Sequence, residues 1–171
     1  MLFVSLAGVA FASDADWHSY KINAAEVTFL APSKPSVQQA TLNGAPSTLY
    51  TSDSPAGRFV VGYTPFPASS QPAMKKILTS DPGSPGIKHL IESTVAAFAK
   101  AGKAKIGHAE FGLDKGLPTE FATLSNSRVT LNLRVYVSSK RVYVFVAAGD
   151  DEAVSKFFQS IKVPSEVAQP K

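Results

Sequence analysis

The sequence predicts an α+β protein in which helices pack on an antiparallel β-sheet. In residues 128–137 apolar side chains alternate strictly with polar ones, which is the period-two pattern of a strand with one buried face. A short polar loop, 138–141, leads into a second apolar run at 142–148. The period then changes, because the apolar residues of 153–161 recur at helical spacing. A hairpin followed by a helix that lies across it is therefore predicted.

Length and composition favour one domain. The chain has 171 residues and is 44% hydrophobic, enough for one substantial core and too short for two. Its prolines and glycines are scattered without a repeat, which argues against collagen-like and disordered chains. We expect a domain at 13–163 and a C-terminal tail at 164–171.

The first residues resemble a secretory signal. Residues 2–12 are small or apolar and end in Ala10-Phe11-Ala12, an acceptable cleavage site. The run is too short to span a bilayer, and no Lys or Arg precedes it, so a buried N-terminal strand is the alternative. We interpret 1–12 as a signal remnant and expect an exported protein, periplasmic or secreted, with no transmembrane segment in the mature chain. The chain has no cysteine, which excludes disulfides and thiolate chemistry.

The N-terminal half is predicted to be an antiparallel meander. Its first strand must stop at Pro32, because proline cannot donate to a ladder. Asn43-Gly44 is a strong signal for a two-residue hairpin turn. The predicted strands are 26–30, 37–42, 47–51 and 57–63.

A long loop and a helix follow. Residues 64–85 are rich in Pro, Ser, Gly and Lys and are predicted to be a loop. Ser84 is the expected N-cap of a helix with Pro85 at its first position and Gly102 at its C-terminal end. Its apolar stripe predicts that this helix packs on the sheet. Two further strands, 105–113 and 119–124, precede the hairpin.

Short motifs spread over most of the chain resemble a known group of proteins. They are Trp17 followed by Tyr20, Phe29-x-x-Pro32-x-x-Pro35, Gly57-Arg-Phe, Gly116-x-Pro-x-Glu120-Phe, Arg134-x-Tyr136, Arg141-x-Tyr143 and Phe157-Phe-x-Ser160. With these the chain resembles small exported bacterial proteins of the PsbP-like group. The resemblance implies an α/β/α sandwich and a non-enzymatic domain. It carries over no ligand set and no photosystem role.

Residues able to carry chemistry are sparse. The three histidines lie in different predicted elements, without the spacing of a metal or catalytic motif. His108 and Glu110 share one strand face by alternation, and Glu120 lies on the next strand. This trio is the candidate cation site, and ordinary surface or structural residues are the alternative. No cofactor is predicted, and enzymatic activity is left open with a preference against it.

A polar row on the hairpin is the candidate binding surface. Alternation places Arg128, Thr130, Asn132, Arg134 and Tyr136 on one side of the strand. Arg141 and the aromatic residues after it extend that surface. Interleaved arginine and aromatic groups bind carboxylates, phosphates or peptides, whereas a plain solvent-facing sheet is the alternative. The predicted binding residues are Arg128, Asn132, Arg134, Tyr136 and Arg141.

The net charge of +4 is a weak indication of an acidic partner. The basic groups, Lys75-Lys76 and Lys140-Arg141 among them, are small and scattered, so there is no strong nucleic-acid signal. The sequence as a whole favours an exported, non-catalytic domain that binds an unknown protein or envelope component. The alternative is a small-ligand- or cation-binding protein or an enzyme, using the His108 trio or the Arg134 and Tyr136 face.

Overall fold

The computed structural model of the chain describes residues 16–164. The predicted signal at 1–12 lies outside them, as does the predicted tail beyond Pro164. The strands are β1 His18–Ile22, β2 Val27–Ala31, β3 Ser36–Leu42, β4 Ala45–Ser54, β5 Gly57–Pro65, β6 Lys105–Asp114, β7 Leu117–Ser125, β8 Thr130–Val137 and β9 Arg141–Gly149. The α-helices are α1 Gln71–Ser80, α2 Pro85–Ala101 and α3 Asp151–Ser160.

Seven strands form one sheet in the order β3-β4-β5-β9-β8-β7-β6, and every neighbouring pair is antiparallel. The predicted hairpin is its centre, since β9 pairs with both β8 and β5. Strands β1 and β2 form a separate hairpin. Thr28 of β2 exchanges two backbone hydrogen bonds with Lys162, 3.1 and 2.8 Å, which ties this hairpin to the chain after α3.

Both faces of the sheet are covered. The β1–β2 hairpin and α3 cover one face, which we call the α3 face, and Phe157 packs there 5.2 Å from Phe59 and 6.3 Å from Phe29 between ring centroids. Helix α2 covers the opposite face, the α2 face, through Ile87, Ile91 and Val95. The predicted α+β class, an antiparallel sheet with helices packed on it, is confirmed.

The segment predicted to be a long loop contains a helix. Helix α1 begins beside Pro72, a residue tolerated in the first turn of a helix because its missing N–H has no partner there. Met74 and Leu78, one turn apart, pack against the α2-face core. This two-residue stripe is too short to stand out from the surrounding Pro and Ser, so the prediction of a loop from 64 to 85 was wrong in its middle.

The limits of α2 agree with the prediction. Ser84 is the N-cap with Pro85 next to it, and the helix ends at Gly102. Within residues 16–164 no helix is long and apolar enough to cross a membrane.

Candidate functional site

Helix α3 and the core beneath it cover the part of the predicted polar row that contains Arg134 and Tyr136. Tyr136 faces α3 and is fully buried, and its ring centroid lies 5.7 Å from that of Phe145. Its hydroxyl donates a 2.6 Å hydrogen bond to Oδ2 of Asp114. Burial, followed by the bond and charge of Asp114, raises the pKa of Tyr136 to about 12. Tyr136 was predicted to belong to an outward binding row, and its ring is instead part of the core on the α3 face.

Arg134 is held between two aromatic rings. Its guanidinium carbon lies 4.3 Å from the ring centroid of Phe121 and 4.4 Å from that of Phe158. Phe121 is its cross-strand partner and Phe158 belongs to α3. This stacking joins the sheet to the helix through cation–π contacts.

The other predicted binding residues do not share one surface. Asn132 is half-buried on the same face as Arg134, opposite Thr123. Arg128 precedes β8 and is exposed. Its backbone N–H donates a hydrogen bond to Oδ1 of Asn126. Arg141 begins β9 beyond the other end of β8, so that roughly 25 Å of strand separates it from Arg128. The proposed row is thus divided between two ends of the sheet and a packed centre.

The candidate cation trio does not converge. His108 Nε2 lies 3.7 Å from Glu110 Oε2, and both side chains are largely exposed. Glu110 is paired with Phe121, whose ring lies on the α3 face, whereas Glu120 is paired with Val135 of the α2-face core. Glu110 and Glu120 therefore lie on opposite faces of the sheet, and the expectation that the three residues meet is wrong. Among residues 16–164 no group of three His, Cys, Asp or Glu is placed to hold a metal ion.

Glu120 is buried, with 4% of its surface exposed. Burial and then the nearby carboxylate of Glu92 on α2 raise its pKa. Its place is between the sheet and a helix rather than in an open site, which makes it a group that affects stability.

A cleft that the sequence did not predict lies where four segments meet. It has a volume of about 900 Å³ and opens between the turn of the β1–β2 hairpin, the start of α1, the β8–β9 turn and Pro164. Its ionisable lining is Lys21, Lys75, Lys140 and Glu26, beside Tyr143. Asn23, Gln71, Ser138 and Ser139 add polar groups. We call it the lysine cleft.

Hydrogen bonds to the backbone hold the walls of the lysine cleft together. The hydroxyl of Tyr143 donates to Ala25 O at 3.1 Å, and a guanidinium nitrogen of Arg141 donates to Ala24 O. Both bonds fix the β1–β2 turn on β9. The N–H of Phe66 donates to Lys140 O at 2.8 Å, which places the segment leading to α1 beside the β8–β9 turn. These bonds join the segments that line the cleft.

The charge of the lysine cleft is positive. Of the described residues that line it, Glu26 is the single carboxylate, and its Oε2 lies 3.6 Å from Nζ of Lys140 with both side chains half-exposed. Lys21 and Lys75 are exposed. Three ammonium groups against one carboxylate favour an anionic ligand. Sequence inspection registers Lys75 and Lys140 as separate basic groups, and only the fold brings them to one cleft.

Comparison with known proteins assigns no family to the chain. No protein-family model matches the chain, and no curated protein sequence matches it. Among solved structures it is similar to cyanobacterial PsbP (CyanoP) from Synechocystis sp. PCC 6803, with 12% identity, a TM-score of 0.49, and coverage of 94% of this chain and 98% of that one. It is also similar to PA94 from Pseudomonas aeruginosa, a protein of unknown function described as a putative regulator, with 11% identity, a TM-score of 0.33, and coverage of 81% and 86%. The first of these similarities is to a PsbP protein, the group that the sequence motifs resemble. At these identities it concerns the arrangement of elements alone.

Proposed function

We propose that residues 13–163 form an exported, non-catalytic interaction domain that holds an anionic group of its partner in the lysine cleft. The observation that carries this proposal is the convergence of Lys21, Lys75 and Lys140 around one opening of about 900 Å³. Such a cleft accepts a carboxylate or a phosphate, which are groups that both proteins and envelope components display.

The chemistry of the lining supports binding rather than catalysis. General acid–base catalysis needs a titratable group near its working pH within hydrogen-bond reach of the substrate. Among residues 16–164, the charged side chains that line the cleft are three lysines and Glu26, without a histidine or a pair of carboxylates to act as acid and base. Lysine ammonium, amide and hydroxyl groups instead offer hydrogen-bond donors to an anionic ligand.

The positions of the lysines also support a partner that exchanges readily. The side chains are exposed or half-exposed, so their attraction for an anion is screened by salt. A single partially neutralised cluster of this kind gives weak, salt-dependent binding. This suits a domain that docks on a larger surface and contributes one of several contacts.

Export is proposed from the apolar run of residues 2–12 and its Ala10-Phe11-Ala12 ending. The expected mature product begins at Ser13. Intact-mass measurement of the secreted protein checks this, and a mature product that retains Met1 would contradict it.

Titration of the isotopically labelled protein tests the lysine cleft directly. Inorganic phosphate, a short oligoglutamate peptide and vesicles containing anionic phosphatidylglycerol are added separately. At least one of these should shift the amide signals of Asn23, Gln71 and Ser138, more strongly at low salt. Response to the peptide indicates a protein partner, and response to vesicles alone indicates an envelope lipid.

Two triple variants that change the net charge equally distinguish the effect of the cleft lysines from that of the overall charge. Neutralising Lys21, Lys75 and Lys140 to glutamine should abolish the shifts. The same change at Lys34, Lys100 and Lys105, which are exposed and outside the cleft, should preserve them. Equal loss in both triple variants, or no response to any of the three probes, would refute the proposal.

A further inference from the structure

The two edges of the seven-stranded sheet are unequally protected. At one edge β6 carries charged residues at Lys105, Glu110 and Asp114, and its register shifts between Ile106 and Ala109. Charges and bulges of this kind prevent an edge strand from pairing with another chain. At the other edge β3 has neither charged residues nor a bulge. It is a regular seven-residue strand without a charged residue, Ser36 to Leu42.

The hairpin turn determines which backbone groups of β3 point outward. Asn43 and Gly44 have φ values of 50° and 78°, the left-handed pair of a type I′ turn, and they leave Leu42 opposite Ala45. The pair that closes a two-residue turn is hydrogen-bonded, and such pairs alternate along an antiparallel ladder. Leu42, Ala40, Gln38 and Ser36 therefore bond to β4. The N–H and C=O groups of Val37, Gln39 and Thr41 point away from the sheet.

These outward groups lie on an accessible strand. Residues 36–39 are all exposed, and Val37 keeps 55% of its surface exposed. Among the strands of residues 16–164, β3 has β4 as its single neighbour. A β-branched side chain and an unpaired ladder together form a template for a further strand.

We propose that β3 pairs antiparallel with β3 of a second copy of this chain, with the two-fold axis at Gln39. In this register Gln39 faces the partner's Gln39, and Val37 faces the partner's Thr41. All three pairs use outward backbone groups, which gives six inter-chain hydrogen bonds. The two sheets then continue into each other across the axis.

The register is symmetric and free of charge, which favours a second copy as the occupant. The register brings no two charged residues of the strands together, because β3 contains none. Lys34 lies before the strand and outside the paired segment, and Pro35 ends the ladder there because it has no N–H. A strongly charged segment would gain nothing from β3 beyond backbone bonds, whereas a copy of β3 matches its length and its neutral side chains.

The contact is small. One strand pair buries much less than the roughly 1,600 Å² of a standard stable interface. We therefore expect a dimer that depends on concentration, forming between about 10 µM and about 1 mM. It leaves the lysine cleft free, since no residue of β3 lines that cleft.

Sedimentation equilibrium of the whole chain over that concentration range tests the pairing. The unchanged chain should pass from monomer to dimer, and the amides of Val37, Gln39 and Thr41 should gain protection from hydrogen exchange as it does. Gln39→Pro removes one outward N–H per chain and should abolish the dimer. Gln39→Ala keeps the backbone donor and should retain it.

Side-chain variants keep the test valid if the proline variant fails to fold. Val37→Lys places a charge on β3 at an exposed position and should weaken the dimer at least tenfold. Ile106→Lys places the same charge on β6, where Ile106 is 45% exposed, and should leave it unchanged. A monomer throughout the range, a dimer insensitive to Val37→Lys, or a dimer lost in Ile106→Lys would overturn the proposal.

Discussion

The hydroxyl of Tyr136 donates to Oδ2 of Asp114 at 2.6 Å, and this bond links two strands that are not neighbours in the sheet. Tyr136 belongs to β8 and Asp114 ends β6, with β7 between them. The tyrosine ring extends over β7 on the α3 face, so the edge strand is attached to the core by a charge-assisted bond as well as by its ladder.

Removal of this bond should loosen the edge. Tyr136→Phe is expected to lower the free energy of unfolding by about 1 to 2 kcal/mol, because Asp114 loses a donor at a half-buried position. Asp114→Asn keeps an acceptor and removes only its charge, so it should cost less. Urea denaturation measures both values. An equal cost for the two changes would contradict this, because it would mean that the bond depends entirely on the charge of Asp114.

Stability should fall in alkaline solution. The pKa of Tyr136 is about 12 in the folded chain against 10.0 for an ordinary tyrosine, so above pH 10 the unfolded chain loses its proton first. The contribution of Tyr136 is complete below that pH and is lost as the pH rises towards 12. The raised pKa of Tyr50 acts in the same direction. Urea denaturation along this pH range should give a shallower decline for Tyr136→Phe than for the unchanged chain, and parallel declines would contradict the assignment.

The contribution of Glu120 to stability should be greater in acid than at neutral pH. Burial and Glu92 raise its pKa, so the folded state binds its proton more tightly than the unfolded state does. That stabilisation is present below the ordinary pKa and is lost as pH rises through the folded one. Glu120→Gln is therefore expected to stabilise the chain at neutral pH by about 1 kcal/mol relative to the charged form. Thermal unfolding at acid and neutral pH checks this.

A control at α2 accompanies the Glu120 test. Glu92→Gln should give part of the same gain, because Glu92 is exposed and acts only through its charge. A gain in Glu120→Gln that does not change with pH would mean that packing, and not ionisation, decides the effect.

Phe157 should be the most costly single truncation in α3. It is fully buried and its ring contacts those of Phe29, Phe59 and Phe158. Phe157→Ala is expected to cost about 3 to 5 kcal/mol. The exposed neighbour Gln159→Ala should change stability by less than about 0.5 kcal/mol. Chemical denaturation compares the two, and similar values would contradict the packing of α3 on the sheet.

The charge balance of the lysine cleft gives a gain-of-binding prediction. Glu26→Gln removes the carboxylate paired with Lys140, and the anionic probe that binds the unchanged chain should bind about two- to tenfold more tightly. Glu110→Gln removes a comparable surface carboxylate, paired with His108 outside the cleft, and should have no effect. Isothermal titration calorimetry at low salt measures both. Weaker binding in Glu26→Gln would mean that Glu26 itself contacts the ligand.

Elements defined by local pattern were predictable. Alternation along β8, the Asn43-Gly44 turn and the apolar spacing of α3 each depend on residues close together in sequence, and each was confirmed. Helix α1 was not predicted because its contact with the core is made by two half-buried apolar residues, Met74 and Leu78. Alternation separates the two faces of β8 but does not show whether other elements cover the polar face. That face carries Tyr136 and is covered by α3 and the β1–β2 hairpin.

The candidate sites depended on tertiary structure. Residue type and spacing placed Glu110 and Glu120 in adjacent strands, but the pairing register put them on opposite faces. Lys21, Lys75 and Lys140 are distant in the chain, and no local pattern relates them.

By itself, then, the sequence determined the class of the fold, its central hairpin and its final helix, because hydrophobic periodicity and turn chemistry act over a few residues. Only the tertiary structure decided which polar side chains are buried and which charges meet. Those outcomes depend on strand order, on register and on how two layers close over one sheet.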